Sequence, residues 1–298
     1  MKALRVLFSW AWRLAAAGAA HAVGVVLGGG LALALALTPP SFPQGAEFEP
    51  GVLSMVAASL VMAIGLAALA SSLAGGFSKR WLILAAFAFV VNGLGTSIEA
   101  EAFTTLGGFW FGIVANLPAS VLGAFAVASL FSAPSAEVAG YFSRWSPGRL
   151  TLRLVLALAA FPFAYFLFGM MIAPIVTPYY EEIDFLLVPP LTTLLQVLWL
   201  RSALFLAVSW PVIAAWSHSR TRLALALCVG HFTAVGLSGL IQASFFPAVM
   251  RWTHGVEILA DSALYAALLV WLLYAPPAPK TALEGTEDEK AAALSAAR

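Results

Sequence analysis

Three ionisable residues recur at helical spacing near the start of the last apolar segment of the chain. His254, Glu257 and Asp261 occupy positions i, i+3 and i+7, which places them on one face of an α-helix. An imidazole and two carboxylates in this arrangement could hold a divalent metal ion or relay protons. The spacing is not HExxH or another named zinc pattern. An amphipathic helix start, with the acids facing interfacial water or pairing with Arg251, therefore remains an alternative.

A second group of ionisable residues lies inside two other apolar segments. Glu99 and Glu101 fall in the stretch GLGTSIEAEAF, and Arg201 stands in LLQVLWLRSALF. An ionised side chain within a membrane span is costly unless it is paired or hydrated. Asp261, Glu257 and Glu99 are the candidate partners of Arg201. A structural ion pair between two helices fits the sequence as well as a functional one.

The last two candidates lie in CVGHFTAVGLSGLIQ, where His231 and Gln242 fall on much the same helix face. A single histidine in a span serves packing as well as proton transfer, so both interpretations stay open. The residues that could bind a substrate or couple it to protons are Glu99, Glu101, Arg201, His231, Gln242, Glu257 and Asp261. The sequence shows no evident cofactor motif; a divalent metal at His254, Glu257 and Asp261 is the one alternative.

The composition indicates the solvent that surrounds these residues. Of the 298 residues, 62% are hydrophobic and only 10% are charged, with a mean hydropathy of +0.94. Soluble domains are closer to a quarter charged, so the lipid bilayer is the expected environment. The net charge of +1 gives no support to a nucleic-acid partner. The single cysteine, Cys228, excludes an intramolecular disulfide and any CxxC metal site.

Apolar segments of about 20 residues are long enough to cross a bilayer as helices. The sequence therefore predicts an all-α, polytopic membrane protein with eight transmembrane helices. The predicted spans are 12–37, 51–73, 81–103, 107–132, 151–176, 189–215, 223–246 and 256–275. Between the fifth and sixth, residues 177–190 are expected to form a surface loop, with a re-entrant segment or a lid over an outer cavity as the alternative.

The basic residues predict the orientation of the chain. With eight spans, 13 of the 15 lysines and arginines fall on one side. This bias predicts a multi-pass protein of the cell (inner) membrane with its N- and C-termini in the cytoplasm. The two exceptions are Arg201, inside a span, and Arg251, assigned to a loop on the opposite side.

An internal duplication is the second architectural prediction. GLGTSIEAEAF at 93–103 matches GLSGLIQASFF at 236–246 at five positions, with an offset of 143 residues. Other anchors keep nearly the same offset, so residues 1–140 and 141–276 are expected to be parallel four-helix repeats. Residues 277–298 are expected to be a polar, disordered cytoplasmic tail. Glu99 then corresponds to Gln242, which favours one asymmetric site.

Three functions fit these patterns. The first is a small carrier or permease with a polar acidic site between the two halves, near the outer face, and a small-molecule or ion cargo. The second is a membrane-embedded metal-dependent hydrolase. The third is a non-catalytic assembly or sensor subunit whose charges are structural pairs. Apolar exterior faces meet lipid, a second copy of the chain or another membrane protein equally well, so a homo-oligomer or a membrane partner fits all three.

Overall fold

The computed structural model describes residues 2–41, 51–131, 141 and 145–275. These residues contain eight helices that are long and apolar enough to cross a membrane. We number them α1 (Lys2–Ala34), α2 (Val52–Ala70), α3 (Phe77–Phe103), α4 (Phe109–Leu130), α5 (Pro147–Glu182), α6 (Leu191–Ala214), α7 (Arg220–Gln242) and α8 (Ala248–Leu273). The predicted all-α membrane protein with eight spans is therefore confirmed. The predicted tail, 277–298, lies outside the described residues.

Several helix ends differ from the predicted ends. α1 begins at Lys2 instead of residue 12, α5 continues to Glu182 instead of 176, and α8 begins at Ala248 instead of 256. The apolar composition stops where the hydrocarbon stops, whereas helical hydrogen bonding continues through the polar turns beyond it. The assignment of Arg251 to a loop was consequently wrong, because it lies in the first turns of α8.

The segment 177–190 is a helix end followed by a short connection. Residues up to Glu182 extend α5, although Pro174 and Pro178 lie inside this helix. The connection is then tied to the end of α3: Leu187 N donates to Phe103 O at 2.8 Å, and Thr105 N donates to Phe185 O at 2.9 Å. These two bonds hold the connection between α5 and α6 over the end of α3.

The connections between helices gather at two opposite faces. At the first, which we call the basic face, the α2–α3 connection pairs with the α6–α7 connection: Ala74 N donates to Ala215 O at 2.9 Å and Ser217 N donates to Ser72 O at 3.1 Å. The second, the acidic face, carries the α3–α4, α5–α6 and α7–α8 connections and the described residues that follow α1, where Ser41 N donates to Leu106 O at 2.9 Å. Exposed carboxylates lie there at Glu101, Glu181, Glu182 and Asp184.

Helix pairs pack in a recurring arrangement. α1 packs against α4 as α5 packs against α8, and α2 packs against α7 as α3 packs against α6. The main apolar core fills the space between these helices and includes Phe87, Phe205, Trp216 and Tyr265.

The α1–α4 pair is held together by glycines. A Cβ atom at Gly24 would overlap the backbone of Ala119, and one at Gly28 would overlap the backbone of Ala115. Small residues at this spacing let helices approach until their backbones touch, which replaces side-chain volume with close van der Waals contact. Gly24 and Gly28 are four residues apart, which is the spacing that allows this approach.

Two neighbouring glycines of α1 provide a matched test of the α1–α4 contact. Gly28→Ala should destabilise the protein by about 1–3 kcal/mol, because the new methyl group must push α4 away. Gly29→Ala should be neutral, since no atom lies within 4 Å of a Cβ there. Unfolding of both variants in detergent measures the difference. Equal stability of the two would contradict the close contact.

Candidate functional site

A cavity of about 340 Å³ lies among α3, α5, α6, α7 and α8. It begins beneath the acidic-face connections, where Phe245 and Phe246 line it, and reaches His231 and Tyr265 near the middle of α7 and α8. Five of the seven predicted binding residues line it, together with His254: Glu99, Arg201, His231, Glu257 and Asp261. Residues from four different predicted spans thus meet around one space.

The ion pair between Arg201 and Glu99 joins α6 to α3. Arg201 Nη2 lies 2.9 Å from Glu99 Oε2, and the side chain of Arg201 is 2% exposed whereas that of Glu99 is 37% exposed. Arg201 stands about 15 Å along α6 from its acidic-face end, at 1.5 Å per residue. A guanidinium at this depth requires an anion nearby, and Glu99 is the one of its three candidate partners that pairs with it.

Two aromatic rings complete the surroundings of Arg201. Its guanidinium carbon lies 5.4 Å from the ring centroids of both Phe161 and Phe205. Such contacts attract a cation to the negative faces of the rings. The arginine is therefore held by α3, α5 and its own helix at once, and its Nε has no hydrogen-bond partner within the described part of the chain.

A second pair lies within α8. His254 Nδ1 and Glu257 Oε2 are 2.7 Å apart, one helical turn from each other. Glu257 is buried and faces the cavity, and His254 is partly exposed nearer the acidic face. This contact orients both side chains along the cavity wall.

Asp261 is the deepest carboxylate of the cavity. It lies one turn beyond Glu257, about 20 Å along α8 from its first residue, and is 7% exposed. Its Oδ1 has no hydrogen-bond partner among the described residues. A buried carboxylate oxygen without a donor is costly, so this position is set up to receive a cation or a proton.

His231 forms the inner end of the cavity. Its Nε2 lies 2.9 Å from Ser209 Oγ, and its ring contacts those of Phe87, Phe205 and Tyr265 at centroid distances of 5.0, 5.5 and 5.2 Å. The other nitrogen, Nδ1, is buried without a partner in the described ranges. His231 is thus packed by aromatic rings and also has a polar atom without a partner among the described residues. Both interpretations from the sequence, packing and proton transfer, therefore stay open.

Two π-helical turns shape the walls. Phe89–Leu94 interrupts α3, and Thr233–Leu237 interrupts α7. Side-chain hydroxyls bond to carbonyls in or just before these turns: Ser97 Oγ donates to Gly93 O at 2.7 Å, and Thr233 Oγ1 donates to Val229 O at 2.8 Å. Each π turn holds an extra residue and so rotates the later turns of its helix relative to the earlier ones. Glu99 thereby faces the cavity whereas Glu101 is exposed outside it.

The two remaining predicted residues do not line the cavity. Glu101 is solvent-exposed, and Gln242 bonds through Nε2 to Ser238 O, 3.1 Å away, within its own helix. Conversely, the tyrosines at 165, 180 and 265 line the cavity without having been singled out as binding residues. Only their hydroxyl groups within apolar runs could have marked them, and that signal also describes ordinary interfacial tyrosines.

The predicted metal ligands are only partly brought together. Within the described residues, no group of three or more histidine, cysteine, aspartate or glutamate side chains is arranged to hold a metal ion. His254 and Glu257 instead contact each other directly. The arrangement therefore consists of one arginine–glutamate ion pair, one histidine–glutamate contact and, at Asp261, a carboxylate oxygen without a partner among the described residues.

No protein-family model, curated protein or solved structure matches this chain. The geometry of the cavity is therefore the basis for assigning a function.

A double-mutant cycle tests the pair that joins α3 to α6. Arg201→Met and Glu99→Gln should each reduce the free energy of unfolding. Because both substitutions remove the same ion pair, the coupling energy between them should be about 0.5–3 kcal/mol. Thermal or denaturant unfolding in detergent measures the coupling. The control cycle combines Arg201→Met with Glu101→Gln, an exposed acid of the same helix that should show no coupling. Equal coupling in the two cycles would contradict a specific pair.

Proposed function

We propose that this protein is a small carrier, a permease that moves a small solute through the cavity between α3 and α5–α8. The observation that supports this most is a cavity lined by six acidic or basic side chains and reaching the middle of the membrane spans. Ionisable groups at such depth mark substrate or ion pathways in membrane proteins. A volume of about 340 Å³ lies within the range of small-molecule sites.

A purely structural role for the charges explains less. Ion pairs that only lock helices together need no empty space beside them, and each charge in such a pair has its partner. Here Glu99 reaches solvent from its pair with Arg201, and Asp261 Oδ1 has no partner in the described structure. Both features favour a site that exchanges its contents over a scaffold or sensor subunit.

The carrier proposal includes the duplication into repeats 1–140 and 141–276. Offsetting the chain by 143 residues relates Leu73 to Trp216, and these two residues pair with each other as an antiparallel bridge. The bridge has two hydrogen bonds, from Ala74 N to Ala215 O and from Ser217 N to Ser72 O. The offset of 143 residues relates Ala74 to Ser217 and Ser72 to Ala215, so it converts each bond into the other. When two repeats are related by a two-fold axis, a contact on that axis is formed by equivalent residues of both repeats.

Two further observations support the repeats. The π turns at Phe89–Leu94 and Thr233–Leu237 fall at nearly equivalent positions, and the helix pairs α1–α4 and α5–α8 correspond, as do α2–α7 and α6–α3. An axis along the membrane normal relates parallel repeats in several carrier folds. Broken helices at equivalent places are the usual site of the substrate in such folds.

The two proposed repeats differ in the place where the cavity lies. α5 and α8 border the cavity with Tyr165, Glu257 and Asp261, whereas the equivalent α1 and α4 meet backbone to backbone at Gly24 and Gly28. The site is thus mainly in the second repeat, with α3 of the first repeat supplying Glu99. A single site per chain follows from this asymmetry.

The charge bias of the connections supports an orientation for this carrier. The basic face is placed in the cytoplasm together with both termini, and the acidic face outside the cell membrane. The cavity then opens outward, and the paired connections at Leu73 and Trp216 close it toward the cytoplasm. Transport requires a second state in which that closure opens.

Side-specific labelling of a cavity cysteine tests the second state. In a Cys228→Ser chain, Ala100→Cys places a thiol on the cavity wall. A carrier that alternates its access should expose this thiol to a membrane-impermeant reagent from both sides of oriented proteoliposomes. Ser41→Cys at the acidic face and Ser71→Cys at the basic face should each react from one side. Labelling of residue 100 from the acidic side alone would contradict the carrier and favour a scaffold or a hydrolase.

A reversible cross-link tests which contact closes the cytoplasmic side. Leu73 and Trp216 form the narrow, non-hydrogen-bonded type of antiparallel pair, whose Cα atoms lie about 4.5 Å apart, within the range that a disulfide spans. Leu73→Cys/Trp216→Cys with Ala100→Cys, oxidised, should lose labelling of residue 100 from the basic side and regain it under reductant. The reduced sample controls for the loss of the buried tryptophan. Unchanged labelling after oxidation would place the closure elsewhere.

A further inference from the structure

We infer that the cargo of this carrier is a small organic monocation with a primary ammonium group, bound at Asp261. The inference rests on the proposed carrier function for its transport, but the binding site itself is argued from the cavity alone. Three features of the cavity support it: its charges, its unpartnered polar atoms, and its aromatic walls.

One carboxylate of the cavity, that of Asp261, has no positive partner among the described residues. Arg201 is paired with Glu99, and His254 with Glu257. Asp261 is left, buried, with Oδ1 unpartnered among the described residues. An unpaired carboxylate in such a place is strongly unfavourable. A cation at Asp261 supplies the missing partner, whereas an anion would place a like charge beside this carboxylate.

Three unpartnered polar atoms that can accept a hydrogen bond belong to residues at the inner end of the cavity. Asp261 and Tyr265 are one turn apart on α8, and the Tyr265 ring contacts the His231 ring at 5.2 Å. Asp261 Oδ1, Tyr265 Oη and His231 Nδ1 are buried, and none has a hydrogen-bond partner in the part of the chain that the structure describes. In the tautomer whose Nε2–H donates to Ser209, His231 Nδ1 is an acceptor. A primary ammonium group has three N–H donors, which matches this set.

The walls beyond these acceptors suit the organic part of such a cation. Tyr165, Phe245 and Phe246 line the cavity toward the acidic face. Aromatic faces attract cations and accommodate an apolar or aromatic body. The cavity volume of about 340 Å³ lies within the range of small-molecule sites. An arylalkylamine is small enough for this space.

A proton is the natural substitute when the cation leaves. Asp261 faces Glu257 and His254 on its own helix, Arg201 from α6, Glu99 from α3, His231 from α7 and Tyr165 and Tyr180 from α5. Arg201 is already paired with Glu99, so a proton on Asp261 neutralises the empty site. Binding of the cation then releases one proton, and transport exchanges one cation for one proton.

Phenethylamine and its analogues test the binding site on the detergent-purified full chain. Titrations followed by the thermal unfolding midpoint compare phenethylamine with neutral 2-phenylethanol, anionic 3-phenylpropionate, zwitterionic phenylalanine and sodium chloride. We expect phenethylamine to bind at least about tenfold more tightly than 2-phenylethanol, since hydrogen bonds to a charged group are stronger. In weakly buffered solution its binding should release about one proton per chain.

The variants assign the binding to Asp261. Asp261→Asn should weaken phenethylamine binding by about 30-fold or more, as expected when a buried charged partner is lost, and should abolish proton release. Glu101→Gln, an exposed acid outside the cavity, should leave both unchanged. Tyr265→Phe, which keeps the ring and removes one acceptor, provides a second variant if Asp261→Asn does not fold, and should weaken binding several-fold.

The outcomes separate the alternatives. Equal binding of 2-phenylethanol would overturn a cation site, tighter binding of phenylalanine or 3-phenylpropionate would assign Arg201 as an anion site, and an equal effect of sodium chloride would indicate an inorganic ion. Phenethylamine binding with residue 100 labelled from one side only would leave the cation site intact and overturn the carrier. Labelling of residue 100 from both sides without phenethylamine binding would leave the carrier intact and overturn the cation site.

Discussion

The structure depends on accommodating a guanidinium group in the middle of a membrane-spanning bundle. Arg201 is 2% exposed in its side chain and pairs with Glu99, which reaches it from α3. Because the ion needs an anion and aromatic faces at that depth, α3, α5 and α6 must meet around it. The helices cannot close fully above this point without burying Glu99 as well. The cavity is therefore the space through which the pair keeps its contact with water.

The number of membrane-spanning helices could be predicted from the sequence, whereas the contacts between these helices could not. Run lengths and the absence of strand-like alternation were sufficient for eight helices, since hydrocarbon permits few other structures. The ends were missed where polar turns continue a helix, as at Glu182 and Ala248. The partner of Arg201 was narrowed to three acids, but the choice of Glu99 depends on distances between helices, which a single sequence does not encode.

The second limit on the prediction was the side of its helix on which each residue lies. His254, Glu257 and Asp261 lie on an unbroken helix, and regular spacing correctly placed them on one wall. Glu99 and Gln242 each come after a π turn, where one extra residue shifts the phase of everything beyond it. A regular helix could not predict that Glu99 faces the cavity and that Gln242 bonds within its own helix. The unmarked tyrosines were missed for a different reason, because their residue type has no unique function in a membrane helix.

The same features indicate which parts of the proposed carrier are rigid and which move. α1 and α4 touch along their backbones at Gly24 and Gly28, so separating them would open an unfilled gap. The basic-face closure contains two backbone hydrogen bonds beside Leu73 and Trp216 and a third bond from Ser217 Oγ to Ser72 O, all of which water can replace when the connections part. Between them, α3 and α7 contain π turns, where a helix bends more easily than in a regular stretch. In the proposed carrier, we therefore expect the α2–α7 and α3–α6 contacts to rock around Arg201, which would keep the ion pair near the pivot while access to Asp261 changes sides.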